Sequence, residues 1–233
     1  MAMTKTEVIS WLKENADERG IANWKKAEVG LQSYGIGLTK LRKYAKQIGR
    51  DHKLAQVLWK TKVYEAKILG LLVDDPKVMT REQVEKQVEG GLERGYLAHV
   101  FSSCDASLAK TPFAFELAKD WVNSEDDMRR RCGYGLLYEL SKKNPKGMTD
   151  EFLLSQIEHI RTTIHAQEMW VREAMNTALM GIGKRNRILN LAAIEAAKSI
   201  GPVDIHYGDG NSCQPPDVLK HLTADHLQAK FAN

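Results

Sequence analysis

The sequence predicts an all-α protein built from stacked antiparallel helix pairs, with basic residues gathered along one concave face. Three observations carry that prediction. Apolar residues recur at three- and four-residue spacing in nearly every segment. The interruptions are short and made of Gly, Pro, Asn and Asp. Arginine and lysine concentrate at the expected helix ends, most densely in Ile182-Gly183-Lys184-Arg185-Asn186-Arg187 and in Arg129-Arg130-Arg131.

From the N-terminus, Glu7 to Arg19 carries Val8, Ile9, Trp11, Leu12 and Ala16 at helical spacing. Ser33 to Gly37 is a breaker, and Leu38, Leu41, Tyr44, Ala45 and Ile48 then share one face up to Gly49. His52 to Lys60 and Tyr64 to Leu72 read as two further helices, the second strongly apolar and closed by Asp74-Asp75-Pro76. Thr80 opens the next, with Gln83 as a capping-box partner, and Gly90-Gly91 ends it. Leu92 to Leu108, Phe113 to Val122, Asp127 to Lys143, Asp150 to His165, Glu168 to Gly181 and Asn190 to Ser199 follow as helices. The stretch Val203 to Tyr207 alone suggests extended chain. Roughly eleven helices of about 9 to 17 residues fit a repeat of two helices and about 40 residues, the HEAT or armadillo pattern. A globular helical bundle is the competing architecture.

The chain of 233 residues suits one elongated domain or two small ones. A helical-repeat domain over residues 1–200 is expected, with 201–233 as an extension capping it. The net charge is only +4, from 34 Lys and Arg against 30 Asp and Glu, so an anion-binding surface must come from charge placement rather than total charge. Cys104, Cys132 and Cys213 form no CxxC pair, which argues against a disulfide framework or a zinc ribbon. His206, Asp209, Cys213, His221 and His226 are metal-competent side chains, but their spacing matches no zinc pattern; neither a metal nor a cofactor is expected. The polar N-terminus and the lack of a long apolar run predict a cytoplasmic protein without a membrane span. Neither a P-loop, a Rossmann glycine set, an HExxH motif nor a Ser-His-Asp spacing is present. Trp11, Trp24, Trp59, Trp121 and Trp170 sit mostly at apolar helical positions and read as core.

Several stretches in order carry a resemblance. They are Tyr34-Gly35-Ile36 leading to Leu41-Arg42-Lys43, Tyr64-Glu65-Ala66-Lys67-Ile68-Leu69, and Lys110-Thr111-Pro112-Phe113-Ala114. Arg130-Arg131-Cys132-Gly133 follows, and then Val171-Arg172-Glu173-Ala174 running into Ile182 to Asn186. Over residues 30 to 200 the chain resembles the DNA alkylation repair family, the HEAT-like (AlkD-like) alkylpurine glycosylases. The resemblance implies a concave basic face that grips double-stranded DNA. It also implies a cleft built from the Trp and second Asp of a W-D-x-x-D motif, an Arg, and a second Trp. There a carboxylate would stabilise the sugar cation left when an N3- or N7-alkylated purine departs.

Residue by residue, the family's Arg falls on Arg131 and its second Trp on Thr177, which has no aromatic face. Counted back without gaps, the W-D-x-x-D positions fall on Leu97 and Phe101. A register four residues shorter matches Phe101-Ser102-Ser103-Cys104-Asp105, with an aromatic and a carboxylate four apart on one helix face. The resemblance therefore assigns Asp105 and Arg131 as catalytic candidates. Phe101, Arg131, Arg172, Lys184, Arg185 and Arg187 are the candidate DNA contacts. Arg42, Lys43 and Lys46 form a second basic stripe. A monomer is expected. A DNA-binding relative without catalysis, or a protein-binding helical scaffold, are the alternatives.

Overall fold

A computed structural model describes residues 3–26, 30–92, 96–143, 145–207 and 213–232. Among them every regular element is helical, and the one extended pairing is an isolated bridge between Gln32 and Val63. Two compact units divide the chain, Met1–Phe113 and Ala114–Asn233. The first holds α1 (Lys5–Glu14), α2 (Glu18–Lys26), α3 (Leu38–Ile48), α4 (His52–Trp59), α5 (Tyr64–Val73), α6 (Arg81–Gly91) and α7 (Tyr96–Ser102). The second holds α8 (Ala114–Val122), α9 (Asp127–Ser141), α10 (Asp150–Thr163), α11 (Met169–Gly183), α12 (Arg187–Ile200), α13 (Val218–Leu222) and α14 (Asp225–Ala232).

Starts and stops follow local chemistry. Thr4, Asp51, Asp126, Thr149 and Asn186 each accept a backbone N–H of the first turn, satisfying donors that the helix itself cannot. Thr80 caps α6 in the same way, but Gln83 does not complete a capping box: its amide reaches the buried carboxylate of Asp74 at 2.8 Å. His52, at 2.6 Å, and Gln56, at 3.1 Å, converge on that same carboxylate and tie α4 to the end of α5.

In the first unit α5 is apolar nearly all round and is buried from Glu65 to Val73, packed by α1, α3, α4 and α7. Glu65 has no exposed surface. Its carboxylate accepts the Ser33 hydroxyl at 2.6 Å and the N–H groups of Tyr34 and Ile36 at 3.0 and 3.2 Å. These donors belong to the turn that the sequence marks as a breaker. Gly35 sits there at φ +71°, and Gly20 packs so close that a Cβ would lie 2.1 Å from the Gly35 carbonyl oxygen. One buried carboxylate thus orders the entry to α3.

In the second unit consecutive helices pack as pairs, and alternate helices pack as layers: α8 on α9 and α11 on α12, with α9 against α11 and α10 against α12. A two-helix repeat generates this arrangement. Gly133 of α9 meets the backbone of Trp121 and Val122, and Gly181 of α11 meets the Tyr138 ring, where an added Cβ would lie 2.6 Å from Cδ2. The C-terminal extension belongs to this unit, with α13 on α11 and α12 and Leu222 against Gly183.

Three sequence expectations change. The helix expected over Leu92 to Leu108 is α7 alone; it ends at Ser102, and Cys104 and Asp105 take left-handed backbone at φ 57° and 66°. Val203 to Tyr207 pairs with no strand and runs as an irregular segment. Of the five tryptophans only Trp121 is fully buried, while Trp11, Trp24, Trp59 and Trp170 are half-buried. Gly208, Asp209 and Gly210 lie outside the described residues.

Replacing Glu65 by Gln keeps the volume but puts an NH2 group among donors. We expect a loss of about 1–3 kcal/mol of unfolding free energy, the cost of leaving buried donors unmet. A denaturant midpoint unchanged from wild type would show that the carboxylate is dispensable to the turn.

Candidate nucleic-acid interface

The basic run Lys184 to Arg187 does not end one helix; it spans the turn between two. Lys184 is the C-cap of α11, Asn186 caps α12, and Arg187 opens α12. Lys184 therefore complements a helix dipole, whereas Arg187 stands at the end where a cation is disfavoured. Arg185 turns inward, with Nε 3.9 Å from Asp150 and Nη2 donating to the Met148 carbonyl at 3.2 Å. The Asn186 amide reaches the other Asp150 oxygen at 2.8 Å. Arg187 is exposed and donates to Gln228 of α14 at 2.5 Å.

The α9–α11 contact brings the C-terminal ends of those helices into one cleft of about 640 Å³, lined by Tyr138, Lys142, Asp150, Lys184, Arg185 and Lys230. Four cations face one carboxylate on this lining. Lys142 lies 3.9 Å from the Tyr138 ring and 2.8 Å from Glu139. Burial opposes its charge, but Glu139 and Tyr138 outweigh burial and hold the amine above the ordinary lysine range. Lys184 behaves oppositely: burial first, and then the Lys142 charge, hold it below the lysine value of 10.5. Lys184, disfavoured as a cation in a lining where cations outnumber carboxylates, marks a site that favours an anion.

Arg131 occupies the opposite end of the α9–α11 contact. It is 3% exposed. Its guanidinium lies 5.1 Å from the Trp170 ring centroid, and Nη2 is 3.5 Å from Glu173. Arg129 and Arg130 are engaged as well: Arg129 faces Asp126 at 3.8 Å, while Arg130 bonds Asp127 and donates to the carbonyls of Ser124 and Glu125. All three stand near the start of α9, so the triple arginine closes no helix. Arg172 faces Asp204 at 3.7 Å. Tyr207 lies against Trp170, and its hydroxyl is pushed up to about 12 by burial, with Glu173 adding to the shift. From Arg172 to Lys184 is twelve residues of helix, about 18 Å, so the two basic groups mark opposite ends of α11.

Phe101 and Asp105 belong to the first unit. Phe101 has no exposed surface and packs in the core, so the expected aromatic contact with a base is corrected: no ring face is available there. Nor do the two residues share a helix face, because α7 has ended and the backbone has turned left-handed before Asp105. The Asp105 carboxylate is 69% exposed and lies 3.6 Å from Arg42. Lys110 donates to the Asp105 carbonyl and Arg42 to that of Cys104, at 2.6 and 3.3 Å. Arg42, Lys46, Arg50, Asp105 and Lys110 line a pocket of about 420 Å³. Thr177 is half-buried on α11 and supplies no ring.

A family model described as DNA alkylation repair enzyme matches residues 8–209. The chain belongs to that family. This member of the DNA alkylation repair family is 29% identical over 200 residues to uncharacterized protein Lin0241 of Listeria innocua, covering 82% of this chain and 83% of the relative. It is 26% identical, with the same coverage, to uncharacterized protein Lmo0209 of Listeria monocytogenes. A solved structure described as a new family of proteins related to the HEAT-like repeat DNA glycosylases, with affinity for branched DNA structures, superposes with a TM-score of 0.83. That match spans 98% of this chain and 96% of the other at 20% identity, and it establishes the HEAT-like all-α fold. No helix among the described residues is long and apolar enough to cross a membrane.

Sequence reasoning did not single out Lys142 or Lys230. Lys142-Lys143 at a helix end was a legible signal; Lys230 had none, since only the packing of the C-terminal extension brings it to the cleft. Removing the Lys142 charge by Lys142→Ala relieves the repulsion but leaves the burial. The Lys184 amine, followed by NMR on selectively labelled lysine, should then titrate at higher pH than in wild type and still below an ordinary lysine. An unmoved midpoint would mean that the two amines do not interact.

Proposed function

We propose that this member of the DNA alkylation repair family binds DNA through its sugar–phosphate backbone, with Lys142, Lys184 and Lys230 as the phosphate contacts and Arg185 as the residue that sets the turn. Arg187 adds an exposed cation beside them. One observation carries the reading: Lys184 is held below the ordinary lysine range in a cleft where cations outnumber carboxylates. A phosphate placed there offsets the burial and the repulsion that disfavour the Lys184 charge. The affinity of the solved relative for branched DNA supports extending the partner from plain duplexes to branched ones.

Phosphate contacts release counterions, so log affinity should fall steeply with log salt. Lys142→Ala and Lys184→Ala should each weaken duplex binding about five- to tenfold and shallow that slope by about one. Fluorescence anisotropy with a labelled duplex across a salt series is the test. A slope identical in wild type and both variants would remove the cleft from the interface.

A second reading, excision of a cationic alkylpurine, rests on the exposed carboxylate of Asp105 at the wall of its pocket. On the resemblance, Asp105 would stabilise the sugar cation and Arg131, a residue of the second unit, would hold a backbone phosphate. Against it stand the burial of Phe101, the missing ring at Thr177, and the ion pair that engages Arg131. On the DNA-binding reading alone, wild-type protein releases no free base from DNA carrying 7-methylguanine or 3-methyladenine. Release that disappears in Asp105→Asn would establish the glycosylase instead.

A further inference from the structure

Beyond the lysine cleft, the N-terminal half of α11 carries a second arrangement. Trp170, Arg172 and Asn176 of α11 all meet one segment, the irregular chain after α12. Asp204 Oδ2 is 3.7 Å from Arg172 Nη1. The Tyr207 ring lies 6.2 Å from Trp170, tilted by 48°. Further along, the Pro216 carbonyl accepts the Asn176 amide at 3.0 Å. Beneath the strap lies Arg131, 3% exposed, with its guanidinium 5.1 Å from the Trp170 centroid.

The strap sets a carboxylate on an arginine and an aromatic ring on a tryptophan. The Asp204 contact is loose. At 3.7 Å the Asp204–Arg172 pair is too long for a hydrogen bond, and the Asp204 side chain is 85% exposed. Meanwhile the Nε atoms of Arg131 and Arg172 are buried without a hydrogen-bond partner. Glu173, 3.5 Å from Arg131, and Asp204, 3.7 Å from Arg172, answer other nitrogens of the two groups. Buried donors left unmet are costly, and a phosphate, with several acceptor oxygens, can reach them as well. A half-buried tryptophan flanked by a cation is also a platform on which a nucleobase stacks.

We propose that residues 204–207 occupy a nucleotide-binding site on α11, with Asp204 standing where a phosphate binds and Tyr207 where a base stacks. An unstacked nucleotide of a single strand displaces them. The strap is therefore a built-in competitor: it lowers affinity for single-stranded DNA without touching the lysine cleft at the far end of α11. This rests on the reading of the chain as DNA-binding.

The test compares the full-length wild type with Asp204→Ser/Tyr207→Ala, using anisotropy of a labelled oligothymidylate and of a fully paired duplex. The strap variant should bind the single strand about three- to tenfold more tightly, the range a weak intramolecular contact can contribute. Its duplex affinity should stay within a factor of two or so. Adding Arg172→Ala should abolish the gain. Unchanged or weaker single-strand binding by a folded strap variant overturns the proposal. So does an equal gain on duplex, which would report only the loss of a negative charge. Should the variant fold poorly, hydrogen exchange of residues 203–207 in wild type decides. Saturating oligothymidylate should accelerate it, and slowing or no change overturns displacement. Duplex binding without any strap effect sinks this proposal alone. The absence of all DNA binding, duplex included, sinks the DNA reading with it.

Discussion

The close approach of α9 and α11 is the contact on which the second unit depends. Small residues permit it: Gly181 lies where any side chain would strike the Tyr138 ring, and Gly133 lets α9 press on the backbone at the end of α8. Packed interiors have little slack, so a single methyl at such a crossing must move a helix or a ring. The consequence is electrostatic as well as steric. Once the helices are this close, Lys142 and Lys184 at their C-terminal ends share a cleft whether or not their charges favour it. At the other ends Arg131 is carried beneath Trp170 and beside Glu173. Apolar packing sets the geometry, and the charges are accommodated within it.

Within that frame the cations divide by burial. Arg131 and Arg185 are mostly covered and are held by Glu173 and Asp150, so their charge is largely spent inside the unit. For the buried Arg131–Glu173 pair, removing one partner costs about 3–5 kcal/mol, most of it the penalty for the charge left behind. The surface pairs Lys86–Glu82 and Lys198–Glu195 are solvated and screened, and contribute little. Lys184 falls between these classes. It is partly buried, opposed by Lys142, and placed at a helix C-terminus where a cation is welcome. Such a group is stable enough to be held in place and unsatisfied enough to favour an arriving anion.

The first unit solves a different problem with a buried carboxylate. Glu65 gathers one hydroxyl and two backbone N–H donors, and Asp74 gathers His52, Gln56 and Gln83. Both acids lie on α5 or at its end, so one apolar helix carries polar anchors that orient the segments around it. Asp105 has no such anchorage at its carboxylate. Only its carbonyl is held firmly, by Lys110, and a left-handed backbone presents the side chain to solvent.

Periodicity and punctuation by themselves determined the helical class and the helix start at Thr80, and the ordered stretches from Tyr34 to Asn186 carried the resemblance to the family. Those properties live in spacing along the chain, where three- and four-residue recurrence and the chemistry of single capping residues act locally. The destination of each charge was not legible. Arg131, Lys184 and Arg187 look alike as a sequence, yet one is buried against a carboxylate, one is crowded by a lysine from another helix, and one is exposed at a helix start. The left-handed turn at Cys104-Asp105 was equally hidden, because no glycine announces it. It broke the helix face on which Phe101 and Asp105 were expected to meet. Lys230 reaches the cleft only because the C-terminal helices fold back onto α11 and α12. Burial and like-charge proximity depend on which distant segments pack together, and that is decided by tertiary contact rather than by any spacing along the chain.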